Sequence, residues 1–194
     1  VGYFGCWSMV VVYQNGKMKT KNIAIFQGHA FNSTNNIVDI PIVGFQAVQS
    51  GDVNVKLGFM AGEGDRDLIG DYAKIQELNT PNFKSLSHSG NTTNNFFNSS
   101  INTGGNARNP NYTNNYGIDV AMFYLDNGND NDPNTPAVNS VIGNGQTSTI
   151  IRVGTTSDIY TMSVLVFGVD AYQPETDEVI KLTEINGNPA TAPY

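Results

Sequence analysis

The stretch VNVKLGF, residues 53–59, decides the fold class. Val53, Val55, Leu57 and Phe59 alternate with Asn54, Lys56 and Gly58, and a period of two belongs to a strand with one buried and one wet face. On either side the same signature returns. NIAIF (22–26), IVDIPIV (37–43), IDVAMFYL (118–125) and STIIRV (148–153) read as further strands, while WSMVVVY (7–13) and YTMSVLVFGV (160–169) are continuous apolar runs that suit the centre of a sheet. Pro41 has no amide hydrogen to give, so its strand belongs at an edge or a bulge. Asn15-Gly16, between strand-like runs, is a strong short hairpin signal.

Helical periodicity is nearly absent. Only DRDLIGDYAKIQEL (65–78) could hold a helical turn, and Gly70 interrupts it. Strands without crossover helices pair antiparallel and stack as two sheets. The expected fold is therefore all-β, an antiparallel β-sandwich of jelly-roll type with long Asn-rich loops. The longest loop is 79–115, within which FFNSSI (96–101) reads as a short strand. The sandwich is expected over residues 1–172. Residues 173–194, entered through Pro174 and a run of acids, read as a linker and the start of a following β-repeat. The sequence opens at VGYFGCW with no initiator Met and no visible signal peptide. It reads as an internal piece of a longer protein, truncated on its N-terminal side.

Composition narrows the function classes. Charged residues make up 14%, against ~25% in ordinary soluble domains; the polarity comes from Thr, Ser, Gly and 26 Asn. A formal charge of −7 gives no basic stripe for nucleic acid. No run approaches the ~20 apolar residues of a membrane helix. Cys6 is alone and cannot pair within the chain. His29 and His88 are the only imidazoles, and no nucleophile elbow, zinc spacing or phosphate loop accompanies them. A non-enzymatic role is expected.

Two acidic clusters raise the question of a cation, most naturally Ca²⁺. In GEGDRDLIGD, Glu63, Asp65, Asp67 and Asp71 crowd four carboxylates with one Arg; a hard ion would relieve the repulsion, and so would backbone amides capping a turn. In DNGNDNDPN, Asp126, Asp130 and Asp132 lack the spacing and position-12 Glu of an EF-hand, leaving a calcium loop of another kind or a solvated turn. Asp119 interrupts an apolar strand and reads either as an outer-face residue or as a partner for Arg108 or a cation. Phe83, Phe96, Phe97, Tyr112 and Tyr116 lie in or near the long loop. Beside so many amides they could stack sugar rings, with Phe96, Phe97, Tyr112 and Tyr116 as the ligand-binding candidates, or pin the loop to the sandwich.

The ordered series GCWSMVVVYQN, KNIAIFQG, GDRDLIGD, FFNSSI, ARNPNYTNNYGIDVAMF and IGNGQTSTIIRVGTTSDIY resembles a domain of very large, repetitive cell-surface proteins of Bacteroidetes, including gliding-motility adhesins exported by the type IX secretion system. The similarity covers about residues 2–172, and KLTEINGNPATAPY resembles the first strand of the repeats that follow in such proteins. Gln27 stands where the family has Asp, and Asp67 where it often has Gly. The resemblance implies an extracellular, surface-held attachment module. Its partners would be a surface polysaccharide or an abiotic surface, and, through the parent protein, the secretion and motility machinery. The alternatives are a carbohydrate-binding module of a secreted enzyme and a spacer with no ligand.

Overall fold

The computed structural model describes residues 5, 7–126, 141–174, 184–185 and 188–189. The alternation at 53–59 becomes strand β3 (Asn54–Gly62), in which Val55, Leu57, Phe59 and Ala61 are no more than 2% exposed. Around it assembles one sheet in the order β1 (Lys21–Asn32), β10 (Tyr160–Asp170), β3, β8 (Ile118–Asp126), β6 (Ile101–Thr103) and β7 (Asn106–Ala107). The second sheet runs β2 (Ile37–Val43), β9 (Ser148–Thr155), β4 (Asp71–Gln76) and β5 (Phe83–Ser85). A separate pair, β11 (Glu184–Ile185) and β12 (Asn188–Pro189), forms a small hairpin in the tail.

The order β1-β10-β3-β8 opposite β2-β9-β4-β5 is that of a jelly roll, in which the chain crosses between sheets at nearly every connection. All pairings are antiparallel except β6 with β8. The core lies between the sheets. Phe123 and Leu125 of β8, Leu165, Phe167 and Val169 of β10, Ile75 of β4 and Ile151 and Val153 of β9 all meet there, each at most 1% exposed. Pro41 sits on an outer strand, since among the described residues β2 pairs only with β9, which suits its missing amide hydrogen.

Three expectations fail. The helical turn sought at 65–78 is absent: residues 71–76 form β4, and DYAKIQ alternates strictly between buried and half-buried. Period two won because Ala73 and Ile75 pack into the core from a strand. FFNSSI is not a strand; pairing begins only at Ile101. Finally, WSMVVVY makes no strand and lies exposed, with Trp7 at 86%. The turn forms after it, with the Met18 amide donating to the Asn15 carbonyl at 3.0 Å, but Gly16 and Lys17 are not among the positive-φ residues. Such a turn splays the flanking segments instead of zipping them.

Candidate functional site

Asp71 opens β4, and its side chain turns inward, fully buried, so that one carboxylate oxygen accepts the Phe97 amide. The Phe96 amide reaches the Asp71 carbonyl at 3.4 Å. Asp119, on the neighbouring sheet, takes up the next turn of the same loop. Its two oxygens accept the amides of Ser99 and Ser100, each at 3.0 Å. Asp119 is 1% exposed, which overturns the outer-face reading: it breaks the apolar pattern because it holds a loop. Two carboxylates from two sheets thus fasten the FFNSS loop over one end of the sandwich.

The network extends outward from Ser99. Its hydroxyl accepts the amides of Asn115 (2.8 Å) and Gly117 (2.9 Å) and donates to Asn114 Oδ1 (2.9 Å). Asn115 is buried, donates to the Ser99 carbonyl at 2.7 Å, and receives Arg108 Nη2 at 2.9 Å. Arg108 therefore pairs with Asn115 and not with Asp119. Arg66 donates to the Thr113 carbonyl, and its own carbonyl accepts Asn95 Nδ2 at 2.7 Å. GEGDR meets FFNSS, ARNPN and NNYGID, some thirty to fifty residues further along the chain, in one polar hub.

The backbone at this hub is forced. Among the described residues five non-glycine positions have positive φ, and apart from the tolerant Asn35 and Asn79 they are Glu63, Ser99 and Tyr116, all three in the hub. Strain of this kind costs of order 1–3 kcal/mol per residue and persists only where the surroundings dictate it. Gly64 is required by close approach: a Cβ there would stand 2.2 Å from Asp119 Oδ2 and 2.6 Å from the Phe97 carbonyl oxygen.

Burial dominates the electrostatics. Desolvation pushes the pKa of Asp71 up to about 6 against the opposing pull of the Phe97 and Phe96 amides. It pushes Asp119 up to about 7, again against its amide donors, with the charge of Asp71 adding to the rise. Asp158, in the loop between β9 and β10, is also raised to about 6, first by burial and then by Asp71 and Asp65. The Tyr160 phenol is raised by burial and by the nearby Asp71 and Asp158 charges. Asp71 Oδ1, Asp158 Oδ2 and the Tyr160 hydroxyl are buried without a hydrogen-bond partner among the described residues. Protonation of the carboxyls is the response expected of charges in so dry a place.

The four acids of the GEGDRDLIGD cluster do not converge. Asp71 points into the hub, whereas Glu63, Asp65 and Asp67 are exposed, and the Asp67 side chain is 96% accessible. Glu63 and Asp65 stay close enough for Asp65 to raise the Glu63 pKa, after desolvation. Among the described residues, no three Asp, Glu, His or Cys side chains are placed to hold a metal ion. Asp130 and Asp132 lie outside the described residues; Asp126 ends β8.

The aromatic candidates divide. Phe96 and Phe97 are fully buried, which removes them as ligand platforms. Phe96 stands edge-on to Phe59 (centroids 5.3 Å) and Phe97 lies 4.5 Å from Tyr160. They pin the loop to the core. Tyr112 and Tyr116 remain outside, 56% and 90% exposed. Tyr112 carries the Arg108 guanidinium 4.8 Å from its ring centre, and Arg108 is itself held by Asn115, so the ring is fixed from beneath. Beside it opens a cavity of 490 Å³ lined by Arg66, Asp67, Asn98, Asn102, Asn111 and Tyr112, among others. A second hollow of 280 Å³ lies between Glu63, Asp65, Arg66 and Tyr116.

Sequence reasoning found Asp71, Asp119 and Arg108 as residues of interest but missed Ser99, Asn115, Gly64 and Asp158. Ser and Asn were too numerous to single out, and the buried role of Asp158 has no local signal. His88, one of the two imidazoles, is buried and stacked on Phe123 at 4.2 Å, with its pKa lowered by burial. Cys6 lies outside the described residues. No family model matches the chain, and neither does any curated protein.

Proposed function

We propose that this domain is a non-catalytic attachment module of a large secreted cell-surface adhesin, meeting polysaccharide or an abiotic surface outside the cell. The observation that carries the reading is Tyr112: an exposed ring, braced by Arg108, at the lip of a 490 Å³ cavity that mixes Asn amides, hydroxyls, one guanidinium and one carboxylate with the apolar Ile101 and Ala107. A sugar ring has an apolar face for an aromatic platform and hydroxyls for fixed donors and acceptors. Arg66 and Asp67 offer one group of each sign, which favours a neutral, hydroxylated ligand over a charged one. The volume is within the range of small-ligand sites. The ordered motif series resembling gliding-type adhesins supports the parentage, and three of its segments, GDRDLIGD, FFNSSI and ARNPNYTNNYGIDVAMF, build the hub that holds this surface.

Affinity electrophoresis in gels containing dextran or agarose tests it. The wild-type domain should be retarded, and Tyr112→Ala should migrate as in a plain gel while keeping its melting temperature. Equal retardation of both proteins would remove the site. No retardation by either polymer, together with no attachment to glass, would leave the spacer reading in its place.

A further inference from the structure

The exposed run Trp7–Tyr13 has no part in the attachment reading, yet its sequence is that of a strand. Trp7, Met9, Val11 and Tyr13 are 86%, 75%, 66% and 66% exposed, and an apolar stretch of this extent on a surface marks a contact. It runs across the outer face of the larger sheet, where Val10, Val12 and Tyr13 approach Met122, Tyr124 and Val166 but leave a cavity of 670 Å³ between them. That is a loose seat.

A better one stands beside it. β1 is the outer strand of its sheet and pairs only with β10 among the described residues. The Thr20 carbonyl accepts the Ala171 amide at 2.9 Å, so in this part of the strand even-numbered residues turn their backbone groups toward β10. Lys19, Lys21, Ile23 and Ile25 therefore turn theirs to the open side. Below that edge the sandwich gapes: a slit of 110 Å³ between β1 and β2 is lined by Asn22, Ala24, Ile42, Val43, Phe45 and Phe167. An unpaired edge over a slit that reaches Ile42, Phe45 and Phe167 is a surface that accepts a strand.

We propose that residues 7–14 of the same chain fold back as a further strand on the free edge of β1, through a type I′ turn with Asn15 and Gly16 at its centre. Register decides between the possible turns. The present turn spans Asn15–Met18; continued as a hairpin it would need the backbone groups of Thr20 and Asn22 on the open side, where Thr20 does not have them. This is why the segment departs. A turn spanning Gln14–Lys17 instead sets Val12 opposite Lys19, Val10 opposite Lys21 and Ser8 opposite Ile23, whose backbone groups do face outward. Asn-Gly is the pair that type I′ prefers, since both central residues take positive φ. In that register Met9 and Trp7 stand opposite Asn22 and Ala24, over the slit. Gly16 is the hinge: its φ changes sign between the two turns. The seven exposed residues are thus the open position of a strap that closes the sandwich.

Two measurements test this. In a Cys6→Ser background, Met9→Cys with Asn22→Cys places two thiols at a directly opposed, non-hydrogen-bonded pair ~4.5 Å apart between Cα atoms. Mild oxidation should give an intrachain disulfide in the monomer, and Gly16→Pro, which holds φ near −65° and suits only the present turn, should suppress it. By amide exchange in the unmodified chain, Lys21 and Ile23 should be protected about tenfold or more relative to Gly16→Pro. Exchange that is equally fast in both proteins would overturn the proposal even if the double-cysteine variant did not fold. A disulfide formed only between chains would overturn it too, giving the edge to a second copy.

Discussion

At the scale of single residues, the hub turns on carboxyls that are buried before they are paired. Asp71, Asp119 and Asp158 have folded pKa values of about 6, 7 and 6, above the ~3.9 of an unfolded Asp. Between those limits the folded protein binds more protons than the unfolded chain, so stability is full below ~pH 4 and falls as pH rises through 6 and 7, by about 1.4 kcal/mol per pH unit for each proton held. Asp39, lowered by its hydrogen bond to Arg152, acts in the opposite sense and loses its contribution as pH falls below the ordinary carboxylate range. Denaturant titrations should therefore peak near pH 4, decline toward pH 7 and level off above it, and Asp119→Asn should flatten the decline; a profile rising from pH 5 to 7.5 would contradict the hub's electrostatics. Gly64→Ala should cost about 1–3 kcal/mol, the usual range for overpacking, because its Cβ would meet a carboxylate and a backbone carbonyl; unchanged stability would mean that the loop yields freely.

Among the elements, the strands were legible and the loops were not. β2 was readable to its end residues because IVDIPIV alternates around a proline that only an outer strand accepts. β4 was obscured by charge: DYAKIQ carries an acid and a lysine, and only its burial against Ile151 and Val153 reveals the period of two. Phe96 and Phe97 read either as a platform or as anchors because Asn surrounds them, and the structure makes them anchors, buried in the core. Phe97→Ala should lower stability by about 3–5 kcal/mol, the range for a large aromatic lost from a core, whereas Tyr112→Ala, on the surface, should change it by less than about 0.5 kcal/mol. Similar losses from the two would contradict the division of the aromatics into anchors and platform. Asp119 could be seen to be unusual in its strand; what it held could not, since its partners are backbone amides twenty residues away.

For the molecule as a whole, the crowded acids no longer need an ion to explain them. One is buried and bound to backbone amides, three face water, and the described residues offer no three-ligand site. An ion held only by the folded state at 100 times its dissociation constant would add ~2.7 kcal/mol, and any such gain on adding Ca²⁺ should survive Asp65→Asn with Asp71→Asn. A clear upward shift, lost in Asp65→Asn with Asp71→Asn, would restore the cation. The proposed attachment rests on the surface that the hub supports, and shear detachment tests that most directly. Beads carrying the domain should stay on a neutral polysaccharide film at flows that strip beads carrying Tyr112→Ala, with both proteins melting at the same temperature. If the two kinds of bead leave the film at the same flow, the domain does not attach through this site.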